Sequence, residues 1–431
     1  MRDLGSLDSY LEYLCDGLGH ADRHASLKDY CQALMLPIAR KSVEPMAAYS
    51  APLNVRAKHQ SMHHFVANSA WSDTAVLDRV RRWIEPLLKA STGYYWIVDD
   101  TGLPKKGTHS VGVARQYCGQ LGKKDNCQVA VSLSLASELG STPLAYRLYL
   151  PKDWIDDPVR RQKAGVPDDV EFATKPAIAL AQISTALAAG VQPGIVLADA
   201  AYGDDTVFRE GVRALGLLYA MAIRERTTVW TADLAPLPAL PRKPGPGRTP
   251  SLLRRAPGHE PVSVKQLALD LPPDQFQQVC WREGSNTPLS SRFAAVRVRP
   301  AHRDYWMSEQ REEEWLLIEQ PEEAGEPPKY YLSNAPADAT LDQLVFVTKM
   351  RWRIERDYQE LKQEFGLGHY EGRGWTGFHH HATLCIATYG FVSAQRLAEP
   401  DVKKNSAQPE ITTLPKDYVP RGRSTRSTPC E

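Results

Sequence analysis

Two apolar stretches of this chain run into carboxylates. "YYWIVDD" closes on Asp99 and Asp100, and "GIVLADAAYG" runs into Asp199. A carboxylate at a strand end can stand just outside a sheet without losing its water. If the two strands are neighbours, Asp100 and Asp199 converge, and adjacent carboxylates raise one another's pKa unless a cation lies between them. Hard oxygen donors without a His/Cys cluster suit Mg2+ or Mn2+. A turn before "TGLPKKG" also accounts for one aspartate at a strand end. A second strand with the same ending weakens that account.

A third acid must come from elsewhere. "TLDQLVFVTKMRWRIERDYQELKQEFGLG" reads as one long helix, with Thr340 as N-cap and Gly366 or Gly368 at its end. At 100° per residue, Thr348, Arg351, Glu355 and Lys362 share an arc of roughly 60°. One face then presents a hydroxyl, a guanidinium, a carboxylate and an ammonium. Periodicity alone does not choose Glu355 over Glu360. Arg356, Asp357, Glu360 and Glu364 read as a solvated face with intrahelical ion pairs.

The elements that must position these residues follow from the hydrophobic period. Residues 1–88 space apolar residues by three and four, as in "SLDSYLEYLCDGL" and "DTAVLDRVRRWIEPLLKA", and form a helical N-terminal domain. From Tyr94 the period changes. "YYWIVDD", "CQVAVSLSLAS" and "PLAYRLYLP" read as an antiparallel meander. The helix "EFATKPAIALAQISTALAAG", the strand ending at Asp199, a short helix and the strand "LLYAMAIRE" complete a mixed α/β core over 89–225. Residues 226–330 combine a Pro-rich basic loop, "APLPALPRKPGPGRTP", with strand-like runs, and read as a β-rich insertion. The core resumes over 331–398 with the acid-bearing helix. The polar, Pro-containing tail 399–431 is expected to be disordered.

Composition bounds the partners. Of 431 residues, 42% are hydrophobic and 24% charged, and a net charge of +1 points to no partner by itself, so local clusters must carry any argument about nucleic acid. Seven cysteines without a CxxC pair indicate neither a zinc site nor a disulfide framework. No apolar run approaches the roughly 18 residues of a membrane span, and the N-terminus does not read as a signal peptide. A cytoplasmic protein is expected.

"RWRIERDYQELKQEFGLGHYEGR", with "VDDTGLPKKG" and "LADAAYG", resembles the transposases of bacterial insertion sequences that carry an Asp-Asp-Glu triad on an RNase H-like fold. Within them it is similar to the group whose last motif spaces Tyr, Arg, Glu and Lys as Thr348, Arg351, Glu355 and Lys362 are spaced here, with Thr348 in place of the tyrosine. The resemblance implies Asp100, Asp199 and Glu355 as catalytic metal ligands. It selects Asp100 over Asp99 because the first aspartate of the group precedes a threonine. It also implies a β-rich insertion before the glutamate. Two Mg2+ or Mn2+ ions, roughly 3.5–4 Å apart, would serve phosphodiester cleavage and strand transfer at one site. The implied partners are terminal-repeat and target DNA, the first bound by the N-terminal domain, with a homodimer formed on DNA.

Local charge fits a DNA partner. Lys105, Lys106, Arg115, Lys123 and Lys124 fall between Thr101 and Lys124, a stretch that reads as a loop beside the acids, with no acid among them. Arg242, Lys243, Arg248, Arg254 and Arg255 form a second cationic stretch. Arg351 and Lys362, on the Glu355 face, are the candidates for phosphates near the scissile bond. His109, His369 and His379 to His381 read as surface or DNA-contacting. Nothing in the sequence selects Trp281, Trp306 or Trp315 as a residue that stacks on a flipped base. A nuclease without strand transfer, a DNA-binding protein that no longer cuts, and a glycosidase with paired carboxylates remain the alternatives.

Overall fold

Apolar residues at helical spacing give five N-terminal helices: α1 (Leu7–Cys15), α2 (His24–Leu34), α3 (Val43–Ser50), α4 (Val55–Ala67) and α5 (Asp73–Ile84). Ser6 and Ser72 cap α1 and α5 by accepting the amides of Ser9 and Ala75. The computed structural model describes residues 5–88, 93–242, 249–282, 289–321 and 326–398. Lys243, Arg248 and the tail from residue 399 lie outside the described residues.

The meander follows as β1 (Tyr95–Pro104), β3 (Lys123–Ala136) and β4 (Ser141–Leu148), with a short strand β2 (Ala114–Cys118) inside what the sequence suggested was a loop. Short helices α6 (Lys152–Ile155) and α7 (Pro158–Ala164) lead to α8 (Lys175–Ala188), β5 (Ile195–Ala198), α9 (Ala200–Gly203), α10 (Thr206–Ala214) and β6 (Tyr219–Ile223). Strand β1 pairs antiparallel with β3 and parallel with β5, which pairs parallel with β6. Tyr95 to Val98, Val196 to Ala198 and Tyr219 to Met221 are all buried, so the strands read as unbroken apolar runs rather than alternations. This mixed sheet with helices is the α/β core expected of an RNase H-like enzyme.

The insertion contributes β7 (Thr228–Thr231), β8 (Val262–Ser263), α11 (Val264–Asp270), β9 (Gln277–Arg282), β10 (Leu289–Pro300), β11 (Glu314–Gln320) and β12 (Lys329–Ser333). These strands extend the core sheet, because β12 lies antiparallel beside β6 and carries the order on to β11, β10, β7 and β8.

The last three helices are α12 (Leu341–Lys349), α13 (Trp352–Gln363) and α14 (Trp375–Ala398). The single helix read from periodicity is thus two. Thr340 and Gln343 close a capping box at the start of α12. Around Met350 the amides of Met350, Arg353 and Ile354 bond three residues back, to Val347, Met350 and Arg351. That tightened turn resets the helical phase. Thr348 consequently leaves the expected arc: it is buried, and its hydroxyl donates to the Leu344 carbonyl at 2.7 Å.

Helix α14 is apolar nearly all round, the pattern of a buried helix. Every residue from Gly377 to Gly390 is buried. Helices α2, α4 and α5 pack on it, and one apolar core runs from Tyr10 to Ala394 through both the N-terminal helices and the sheet. The Tyr10 hydroxyl donates to the Ala387 carbonyl at 2.8 Å across this junction.

The histidine run is a correction. His379 to His381 are buried rather than on the surface, because consecutive residues of a buried helix point 100° apart into different neighbours. His379 accepts the Leu148 amide of β4 through Nε2 at 3.2 Å. His380 stacks on Trp71 and sets its ring nitrogens against the Val66 and Trp71 carbonyls. His381 bonds the Tyr30 hydroxyl of α2 and the Gly366 carbonyl. Burying a polar group without a partner costs about 1–3 kcal/mol, and each ring has partners.

Candidate active site

Within a strand, successive side chains point to opposite faces of the sheet. Asp99 and Asp100 therefore diverge. Asp99 is registered with Ser132 of β3. Its carboxylate accepts Arg351 Nη1 at 3.0 Å, and Arg351 Nη2 reaches Glu355 Oε1 at 3.3 Å. Asp100 points to the face carrying α8, where Lys175 Nζ, at the first residue of that helix, donates to it at 2.7 Å. The Gln182 amide of α8 donates to the Val131 carbonyl, opposite Asp100 in register.

Asp199 caps α9, accepting the Ala201 amide at 2.9 Å. The helix it starts lies close on β6. A Cβ on Gly203 would collide with the Ala222 carbonyl, which gives the glycine of "DAAYG" a steric reason. The buried Tyr202 phenol is pushed well above its usual pKa, by burial first and then by Asp100, Asp99 and Asp199.

Burial, with Asp199 and Asp100 nearby, outweighs Arg351 and raises the Asp99 pKa to about 6. Burial works against the charge of Arg351, but Asp99, Glu355 and Asp199 outweigh it and hold the guanidinium protonated above its usual range. Lys362, one face with Glu355 on α13, is lowered by burial despite the pull of Cys118, Asp99 and Asp100. Arg351, Glu355 and Lys362 thus keep the arrangement expected of them, and Thr348 does not.

Asp199, Arg351 and Glu355 stand on the wall of a groove of about 840 Å³. Arg224, Arg226 and Lys329 line it with Tyr330, and Trp281 lies further along under the insertion, with Lys349 4.7 Å over its ring. Trp306 is exposed beside Arg303, and Trp315 donates to the Pro336 carbonyl. Of the three tryptophans, only Trp281 lines the groove. Sequence reasoning missed Arg224, Arg226 and Lys329, brought together by the pairing of β6 with β12, and Lys175, brought to β1 by the packing of α8 on the sheet.

Of the other cations, Lys106, Arg115, Lys123 and Lys124 are exposed on or beside β2 and β3. Lys105 is turned inward: it donates to the Tyr370 carbonyl at 2.6 Å, and burial lowers its pKa to about 8. His109 is exposed, while His369 accepts the Lys41 amide at 3.0 Å.

The donor set fits a hard divalent cation, being carboxylate oxygens with no histidine or thiol among them. Arg351, inserted between Asp99 and Glu355, supplies the positive charge they need. Among the described residues, the group whose ligand atoms all lie within 4.8 Å of one another is elsewhere, at Glu12, Cys15 and His24. No helix among the described residues is long and apolar enough to cross a membrane.

A mixed sheet that carries acids on adjacent strands beside a glutamate-bearing helix is the arrangement of an RNase H-like DDE fold. The chain belongs to the family described as DDE superfamily endonuclease, which matches residues 13–288. That span holds Asp99, Asp100 and Asp199 and stops short of α13. The chain is also 35% identical over 168 residues to a probable transposase for insertion sequence element IS701 from Microchaete diplosiphon. The alignment covers 38% of this chain and 40% of that relative's length.

Proposed function

We propose that the protein is a DNA transposase that cleaves phosphodiester bonds at the ends of an insertion sequence and joins those ends to target DNA. The observation that carries this reading is the joining of Asp99 and Glu355 through Arg351, with Asp199 on the same groove, which is walled by further cations. Asp199, Glu355 and a carboxylate of the pair would hold divalent ions, Mg2+ or Mn2+, two in number. When bound, such ions supply an activated oxygen nucleophile and charge neutralisation at the leaving oxygen.

The chain's own residues do the rest. Arg351 and Lys362 bind phosphate oxygens beside the carboxylates. Arg224, Arg226 and Lys329 orient the strand along the groove, and Lys106, Arg115, Lys123 and Lys124 hold flanking duplex through its backbone. The N-terminal helices bind the terminal repeats, and two subunits pair the two ends.

The test is cleavage and joining on supercoiled plasmid carrying the DNA that flanks the gene, with Mg2+ or Mn2+ present or chelated. Metal-dependent nicks and joined products, lost in Glu355→Gln and Asp199→Asn, are expected. Cutting without joined DNA would make the protein a nuclease. Binding of the ends without cutting would make it a DNA-binding protein only.

A further inference from the structure

The carboxylate that completes the site with Asp199 and Glu355 is a choice between two neighbours in sequence, and the sheet register separates them. Strands β1 and β5 pair in parallel as Tyr95 with Ile195, Trp96 with Val196 and Ile97 with Leu197. Carried two residues on, this register sets Asp99 beside Asp199, whose backbone is still extended at φ −80° and ψ −178°. Parallel neighbours at one register share a face of the sheet. The pairing of β1 with β3 runs without a bulge from Tyr95 to Pro104, so the alternation is unbroken through both acids.

We infer that Asp99, not Asp100, is the β1 ligand of the cation site, and that Arg351 is the internal counter-ion whose place the cation takes. This rests on the reading above and assigns its first carboxylate. Two contacts converge on that face: Asp99 to Arg351 and Arg351 to Glu355. Asp100 is engaged on the other face, where its ion pair with Lys175 ties β1 to the start of α8. Arg351 stands on the groove wall, so its guanidinium has open space to turn into when a cation enters. Turned outward, it meets the phosphate of a bound strand without leaving the site.

The experiment measures Mn2+ binding to the full chain by electron paramagnetic resonance, with DNA cutting in parallel, for wild type, Asp99→Asn, Asp99→Ser and Asp100→Asn. Thermal melts confirm folding. Loss of Mn2+ affinity of at least about tenfold in both Asp99 variants, with Asp100→Asn within about threefold of wild type, is expected. If Asp100→Asn loses the metal while the Asp99 variants keep it, or if all of them bind as wild type does, the assignment is overturned and the transposase reading stands. A wild type that neither binds Mn2+ nor cuts sinks the transposase reading, and the assignment with it.

Discussion

Two runs of identical neighbours, Asp99 and Asp100 in β1 and His379 to His381 in α14, are treated differently by the fold. The strand sends its two acids to opposite faces, where each meets one cation, Arg351 or Lys175, and stays partly open. The helix fans its three histidines around a buried axis, where each finds fixed partners in a different neighbour. A residue type that does chemistry is therefore not by itself a sign of chemistry. What distinguishes the runs is whether the counter-group can be displaced by a ligand: the Arg351 guanidinium can, and a backbone carbonyl in a core cannot.

The largest expected effect breaks the histidine side of this comparison. His380→Ala removes the ring stacked on Trp71 and strands the carbonyls of Val66 and Trp71, and should destabilise the fold by about 3 kcal/mol. Urea unfolding measures it, and cleavage per folded molecule should be unchanged. A loss of cutting in a fully folded His380→Ala protein would put the histidine run in the active site after all.

Acid titration sharpens the same contrast. His381 is pushed down to about 4 by burial, so its contribution is present above its usual pKa of about 6.5 and is lost as pH falls toward 4. Asp357, fully buried on α13, is raised to about 6 by burial, against its bonds to Ser141 and Tyr389 and the charge of Arg353. Its folded form holds a proton that the unfolded chain has lost, so its effect has the opposite sign: stability rises as pH falls from 6 to 4. Each is worth on the order of 2–3 kcal/mol across that window. Asp357→Asn should therefore leave the acid loss from His381 opposed only by Asp99, and unfolding midpoints at pH 4.5 and 7.5 should diverge more than in wild type.

Smaller effects separate cations that bind DNA from cations that hold the fold. Lys106→Met or Arg115→Met should lower the slope of log affinity against log salt by about 0.9 each. Lys105→Met should leave that slope alone and cost about 1 kcal/mol of stability through the lost bond to Tyr370. An unchanged slope in all three would remove the β2–β3 surface from the DNA interface. Smallest of all, Lys175→Met should cost at most about 1 kcal/mol in a melt and leave cutting intact.

Much of this was legible in the sequence, for physical reasons that differ by element. The unbroken apolar runs of β1 and β5 and the spacing of Arg351, Glu355 and Lys362 are local and survive folding, but β1 does not close on its acids: it runs on to Pro104, paired with β3 throughout. Which of Asp99 and Asp100 faces Glu355 is not local, since it depends on how β5 registers with β1. The turn at Met350 contains neither proline nor glycine, so nothing in its composition marks the break that moves Thr348 away. Lys105 looked like part of a cationic loop, because its burial is made by the segment around Tyr370, far along the chain. The even apolarity of α14 is the mark of a buried helix, which leaves little room for surface histidines, yet residue type alone places the run His379 to His381 on the surface.

The insertion leaves the sheet at β6 and returns at β12, the strand hydrogen-bonded to β6, with Tyr330 opposite Ile223. In topological terms, roughly a hundred residues hang from the tip of a single hairpin, and each doubling of such a loop adds only about 0.6 kcal/mol of closure entropy. The helix carrying Glu355 is hung from the returning strand through α12, and Leu344 and Val345 of α12 pack on Val279, Phe293 and Leu317 of the detour, so the detour's own small core helps to seat the glutamate.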